Sequence, residues 1–238
     1  MLYGRNAVAE ALQGRRLAHR LLVASGIQTD ARVRGILETA QRLGITVDEV
    51  PRELLDDACR GANHQGIGLD AGAFEYAMLE DFAGRDGTVL VLDHIQDPQN
   101  FGTLLRAAEA VAVAGVVIPQ DRAVAVTPAV VNASSGAVEH LQVAQVPNIS
   151  RAIDTLKEAG RWAIGLDEAA TSKPLFSTDL PTPVALVVGA EAKGISVNVA
   201  KRCDLLVSLP MRGKVASLNA ATAGSIVLFD LERRTESL

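Results

Sequence analysis

The chain reads as an α/β protein: a mainly parallel sheet with helices on both faces, preceded by a small α/β domain. Three observations carry that reading. From Thr88 onward, apolar segments of strand length alternate with helical patterns across short connections. Segments such as TVLVLD and PVALVVG are apolar throughout rather than every second residue, as strands covered on both faces are. Of the 238 residues, 48% are hydrophobic and only 3% aromatic, so the core is built mainly from Ala, Val, Leu and Ile.

Residues 1–70 form the small domain. GRNAVAEALQG predicts a helix, HRLLVAS a strand, ARVRGILETAQRLG a helix with apolar spacing and ITVDEV a strand. PRELLDDACRG then predicts a helix with Pro at its first turn and Gly past its end. Residues 71–87, rich in small and acidic residues and ending in Arg-Asp-Gly, read as a linker. Residues 88–238 hold the larger domain. Its strands are TVLVLD, GVVIP, LQVAQV, RWAIGLD, PVALVVG and DLLVSLP. Helices are predicted over Gly102–Val113, around Pro128–Ala137, over ISRAIDTLKEAG and SVNVAKRC, and finally to about Arg234.

Cys59 and Cys203, with no secretory leader at the start, point to a reducing cytoplasm and small buried thiols rather than a disulfide framework. No apolar stretch approaches the roughly 20 residues that span a bilayer, so no membrane partner is expected. The net charge of -5 argues against a broadly basic nucleic-acid surface. Yet Arg5, Arg15, Arg16, His19 and Arg20 face a single acid, Glu10, in the first 20 residues. Two readings are open there, a local basic face or an ordinary solvated helix face. His19, His64, His94 and His140 lack metal-ligand spacing, and GxSxG, HExxH and CxxC are absent, so no metal and no hydrolase chemistry is expected. GxGxxG and GxxxxGK[ST] are absent too, which disfavours a dinucleotide fold and nucleotide hydrolysis.

Three loops carry the chemical signal. Each follows an apolar strand, so all three are expected at one edge of the sheet, where ligands of such folds bind. In QDPQNFGTLLRAAEA, Asp97-Pro98 makes a turn, Asn100 is placed to cap the helix and Gly102 permits close approach. Arg106 is read within the first turns of that helix, where the macrodipole disfavours a cation, leaving an anionic partner or a surface ion pair as explanations. In LVVGAEAKGIS, Gly189 lets a ring lie against the backbone, while Glu191 either accepts a hydrogen bond or caps the next helix. In LPMRGKVASLNAATAG, Ser217 or Asn219 caps the last helix, and Arg212 and Lys214 either touch phosphates or stay solvated.

Together, NFGTLLRAAEA, VVGAEAKGIS and LPMRGKVASLNAATAGSIVLFDL resemble the three ordered motifs of the SpoU (TrmH-type) RNA ribose 2'-O-methyltransferases. YGRNAVAEAL and HQGIGL resemble the small substrate-binding domain of the subgroup that acts on 23S rRNA guanosine. The resemblance implies S-adenosylmethionine as cofactor, an RNA substrate, a homodimer and a deep trefoil knot. A threaded chain is rare enough that the knot rests on the resemblance alone. It implies catalytic roles for Asn100, Arg106, Glu191, Ser217 and Asn219, and cofactor contacts from Gly189, Leu209 and Leu218, with Ile195 and Met211 as wall residues. The family scheme makes Arg106 the proton acceptor, although a guanidinium is as a class a poor base unless strongly desolvated. The motifs depart from the family pattern at Ala192, Lys193 and Ala221. A tRNA target and a catalytically silent RNA-binding or assembly factor are the alternatives. The first is disfavoured by the separate N-terminal domain, the second by the joint presence of all five polar residues.

Overall fold

The computed structural model describes all residues except 122, 169–170, 192–193, 216 and 236–238. The motif departures at Ala192 and Lys193 lie outside the described residues. The chain forms two compact units, residues 1–75 with 126–140, and residues 76–125 with 141–238.

The first unit begins with β1 (Leu2–Tyr3), α1 (Arg5–Ala11), β2 (Ala18–Ala24) and α2 (Ala31–Arg42). It continues through β3 (Thr46–Val50), α3 (Arg52–Ala58) and β4 (Ile67–Ala71). The sheet order is β1-β4-β2-β3, with β2 and β3 parallel and the remaining pairs antiparallel. Val8, Leu21, Val33, Ile36, Leu55, Ile67 and Leu69 are buried in this unit. The Asp30 carboxylate caps α2, accepting from the Val33 N–H at 2.9 Å.

The second unit begins with β5 (Val89–Asp93), α4 (Pro98–Ala110) and β6 (Gly115–Pro119). The chain next supplies α5 (Pro128–Ala133) and a 3-10 turn over Ala137–His140 to the first unit. Then come β7 (Val143–Val146), α6 (Ile149–Glu158), β8 (Trp162–Leu166), β9 (Lys173–Pro174), β10 (Val184–Gly189), α7 (Val197–Ala200), β11 (Leu205–Ser208) and α8 (Ala220–Thr235). All seven strands pair in parallel in the order β7-β6-β5-β10-β8-β11-β9.

Successive strand residues point to opposite faces, which places two helix layers. One layer holds α6 and α7: Ile149, Ile153, Leu156 and Val199 join one buried cluster with Val89, Val91, Ala185 and Val187. The other holds α4 and α8: a Cβ on Gly224 of α8 would stand 2.6 Å from Leu104 of α4 and 3.2 Å from Val188 of β10. The β8–β10 link carries β9 at the far edge of the sheet. Its backbone is tied to α8, where Arg234 donates to the carbonyls of Thr178 and Leu175, both at 2.9 Å. The β10–β11 link carries α7 on the α6 side. Arg161, 3% exposed, donates to the carbonyls of Ala83 (2.7 Å), Gly87 (2.6 Å) and Arg85, fastening the segment before β5.

One expectation changes here, and one open reading narrows. Residues 126–140 were read as part of the 88–238 domain, yet they pack in the first unit. The Arg16 guanidinium meets the Glu139 carboxylate at 2.8 Å, with the two side chains only 7% and 1% exposed, and Asn132 donates to the Tyr3 carbonyl at 3.1 Å. The cationic cluster of the first 20 residues is also largely neutralised. Arg16 is taken by Glu139, Arg5 pairs with Asp30 at 2.5 Å and Arg20 with Asp48 at 3.3 Å, while Arg15 and His19 are exposed.

Candidate active site

Strands β5, β10, β8 and β11 lie side by side and parallel, so their carboxyl ends share one edge. Gly189 ends β10 opposite Asp93 of β5. A Cβ at position 189 would come within 2.1 Å of the Gly194 carbonyl carbon, so only glycine lets the following loop fold back so closely. Gly194 takes φ of 61° and donates its N–H to the Ala190 carbonyl at 2.8 Å, closing that loop. Asp93 is 1% exposed and holds the loop's far end, accepting from the Ser196 N–H at 2.7 Å and from His94 Nδ1 at 2.5 Å.

Helix α4 starts at Pro98, four residues before the expected Gly102, because Asp97 is its cap. The Asp97 carboxylate accepts from the N–H groups of Gln99 and Asn100, each at 3.2 Å. Asn100 is therefore not the cap, and its side-chain amide is available for other bonds. At α8 the expectation holds: Asn219 Oδ1 accepts from the N–H groups of Ala221 (2.9 Å) and Thr222 (3.2 Å). With Oδ1 so placed, Asn219 Nδ2 donates to Asn100 Oδ1 at 2.8 Å and to Glu191 Oε1 at 3.2 Å. Asn100 Nδ2 donates to Glu191 Oε2 at 3.1 Å, completing a ring of three side chains from three distant segments. Glu191 thus accepts from two amides rather than capping α7.

A cleft of about 410 Å³ opens beside this ring, within the size range of small-molecule sites. Glu191, Gly189, Leu209, Met211, Ser217 and Leu218 all line it. Ile195 does not: it is 5% exposed and packs in the α6-side core, reaching toward Gly165. Arg106 is also absent from the lining and is exposed. It is the ninth of the 13 residues of α4, too far along for the first-turn dipole argument to apply. Leu166, Asp167 and Glu168, at the end of β8, line the cleft without having been singled out. The available signal was that RWAIGLDE, like the three chosen segments, is an apolar strand ending in polar residues.

A parallel α/β sheet whose strand ends frame a cleft of this size has the architecture of a small-molecule site, and a separate small α/β unit accompanies it. The model of the SpoU rRNA Methylase family matches residues 87–229, and that of the RNA 2'-O ribose methyltransferase substrate-binding domain matches residues 1–77. The chain belongs to the SpoU (TrmH-type) family of RNA methyltransferases. It is 39% identical over 237 residues to YacO of Bacillus subtilis, named as a TrmH family tRNA/rRNA methyltransferase, covering 97% of this chain and 94% of that protein. It resembles the AdoMet-bound rRNA methyltransferase of Sinorhizobium meliloti with a TM-score of 0.80 at 26% identity, over 99% of this chain and 87% of the other. The fold also matches AviRb of Streptomyces viridochromogenes in complex with AdoMet, with a TM-score of 0.82 at 23% identity, over 100% of this chain and 90% of the other. Among the described residues, no helix is long and apolar enough to cross a membrane.

Proposed function

We propose that this protein methylates the 2'-hydroxyl of a ribose in structured RNA, using S-adenosylmethionine, with a guanosine of 23S rRNA as the target. The observation that carries the reading is the Asn100–Glu191–Asn219 ring beside the cleft, which ties together the three segments resembling the family motifs.

The cleft suits the cofactor. Gly189 presents bare backbone, Leu209, Met211 and Leu218 offer apolar walls, and a planar base placed there needs main-chain hydrogen bonds rather than charged side chains. When bound, the cofactor supplies the electrophilic methyl group. The protein has to align the ribose oxygen with that methyl and assist the hydroxyl proton. Asn219 and Asn100 fix the Glu191 carboxylate at the cleft, where it orients a substrate hydroxyl. Ser217, on the same lining, hydrogen-bonds the substrate. Arg106, exposed on α4 and outside the cleft lining, is assigned to the reacting hydroxyl and its neighbouring phosphate by the motif resemblance alone.

Further parts of the proposal are a reducing cytoplasmic setting, RNA binding by the first unit and a homodimer; residues 76–87, read as linker, belong instead to the second unit, with Leu79, Phe82 and Ala83 in its core. Ile226 and Phe229, one turn apart on α8 and 36% and 53% exposed, supply an apolar strip suited to a second copy. A trefoil knot in the second unit is supported by the two chain links that cross the β8 column on opposite faces of the sheet.

The test is transfer of labelled methyl from S-adenosylmethionine to unmodified 23S rRNA and tRNA. Label in 23S rRNA that disappears in Arg106→Ala, while cofactor affinity changes little, is the expected result. Label confined to tRNA would overturn the rRNA assignment. Measurable cofactor binding without label in any RNA would leave a silent binding factor.

A further inference from the structure

The strand that ends opposite Gly189 carries a buried acid. Asp93, the last residue of β5, shares the sheet face of Val89 and Val91, where Ile195 and Val199 pack, and is 1% exposed. A carboxylate in such surroundings is costly unless its oxygens accept hydrogen bonds. Oδ2 takes the Ser196 N–H at 2.7 Å, and Oδ1 takes Nδ1 of the neighbouring His94 at 2.5 Å. His94 makes this contact with a φ of 62°, a left-handed conformation that glycine adopts freely and histidine at a cost. Its side chain is 44% exposed, so replacing it opens no cavity in the core.

We propose that His94 is a positioning residue: acting through Asp93, it sets the loop that carries Glu191 to the cleft. The chain of contacts is short. The segment that leaves β10 at Gly189 is folded back by the Gly194–Ala190 bond and ends at Ser196 on the Asp93 carboxylate. Glu191 stands within that segment, in the cleft lining and in the ring with Asn100 and Asn219. Without the His94 donor, Oδ1 of Asp93 is left unsatisfied away from water. The carboxylate then turns toward solvent, which draws Oδ2 off the Ser196 N–H and frees the loop end. Glu191 loses its fixed place as a result. The inference rests on the placement of the cofactor in this cleft.

The test joins exchange of the Ser196 amide hydrogen, which needs no ligand, to calorimetric binding of S-adenosylmethionine, in the wild type, His94→Gly and His94→Asn. Glycine relieves the backbone and removes the donor, whereas asparagine tolerates the same φ and keeps an N–H at the δ position. In His94→Gly the Ser196 amide should exchange roughly ten-fold faster and cofactor affinity fall roughly ten-fold. The urea midpoint should change little, because the relieved backbone offsets the lost bond. His94→Asn should recover most of both losses. In an Asp93→Asn background, His94→Gly should cost less than about two-fold, since the group it acts through is gone. Unchanged exchange or unchanged affinity in His94→Gly would overturn the inference, as would losses that asparagine does not restore. A urea midpoint falling in step with affinity would overturn it too, by showing a general loss of fold. Wild-type protein that binds no S-adenosylmethionine would instead overturn the cofactor reading, and this inference with it.

Discussion

Asn219 combines two roles that substitution can separate. Its Oδ1 caps α8 through Ala221 and Thr222, and its Nδ2 joins Asn100 to Glu191. Serine caps helices nearly as well but lacks the second donor. Asn219→Ser is therefore expected to unfold within about 0.5 kcal/mol of the wild type yet lose most methyl transfer, whereas Asn219→Ala loses activity and also about 1 kcal/mol of stability. Denaturant titration beside a transfer assay reads both quantities, and full activity in Asn219→Ser would refute the bridging role. At this scale the sequence shows polar residues after apolar strands, which is how Asn100, Glu191 and Asn219 stand out. It does not show that their side chains meet, because that depends on β10 lying beside β5 and on α8 packing against α4. Asp167 and Glu168 escaped notice because no glycine follows them between Asp167 and Pro174.

Among the elements, α2 offers a pH test. The Val33 N–H, and to a lesser degree the Arg5 guanidinium, hold the Asp30 carboxyl below its usual range. A carboxylate with a folded pKa below its unfolded one stabilises the fold above the unfolded value, and that contribution is lost as pH falls through the lowered one. The urea midpoint of the wild type should accordingly drop more than that of Asp30→Asn between about pH 5 and about pH 2. Parallel curves would contradict the cap.

Arg161 offers a second test at this scale. Burial pushes its guanidinium pKa down, yet the group reaches the carbonyls of Phe82, Ala83, Arg85, Gly87 and Val184. Arg161→Met strands several of these acceptors and should cost about 3 kcal/mol in denaturant titration, with a loss below about 1 kcal/mol contradicting the role. Most elements were legible from their patterns, because long apolar runs and amphipathic helices carry strong signals. The exceptions have local causes. Strands β1 and β9 are two residues long, β4 contains a glycine, and the Asp97-Pro98 pair starts α4 earlier than its apolar face suggests.

For the whole molecule, the chain order and the packing order differ. Val130, Val131 and Val138 are fully buried, and their helix and turn pack on β1 and α1, so residues 126–140 depend on the N-terminal unit. Deleting residues 1–75 alone should yield an aggregating product, while deleting them and replacing 126–140 with a Gly-Ser linker should yield a soluble one. Size-exclusion chromatography distinguishes the two, and equal solubility would contradict this division. No local pattern announces such a return, since the Arg16–Glu139 pair joins residues 123 positions apart.

The most direct test of the central claim concerns the atom that receives the methyl group. RNA incubated with the protein and S-adenosylmethionine bearing a deuterated methyl is digested to nucleosides and analysed by mass spectrometry. The account predicts the label on the ribose of a guanosine, and a separate portion of the RNA hydrolysed with alkali keeps it in a resistant dinucleotide. Label on a base, with the ribose unlabelled, would contradict it.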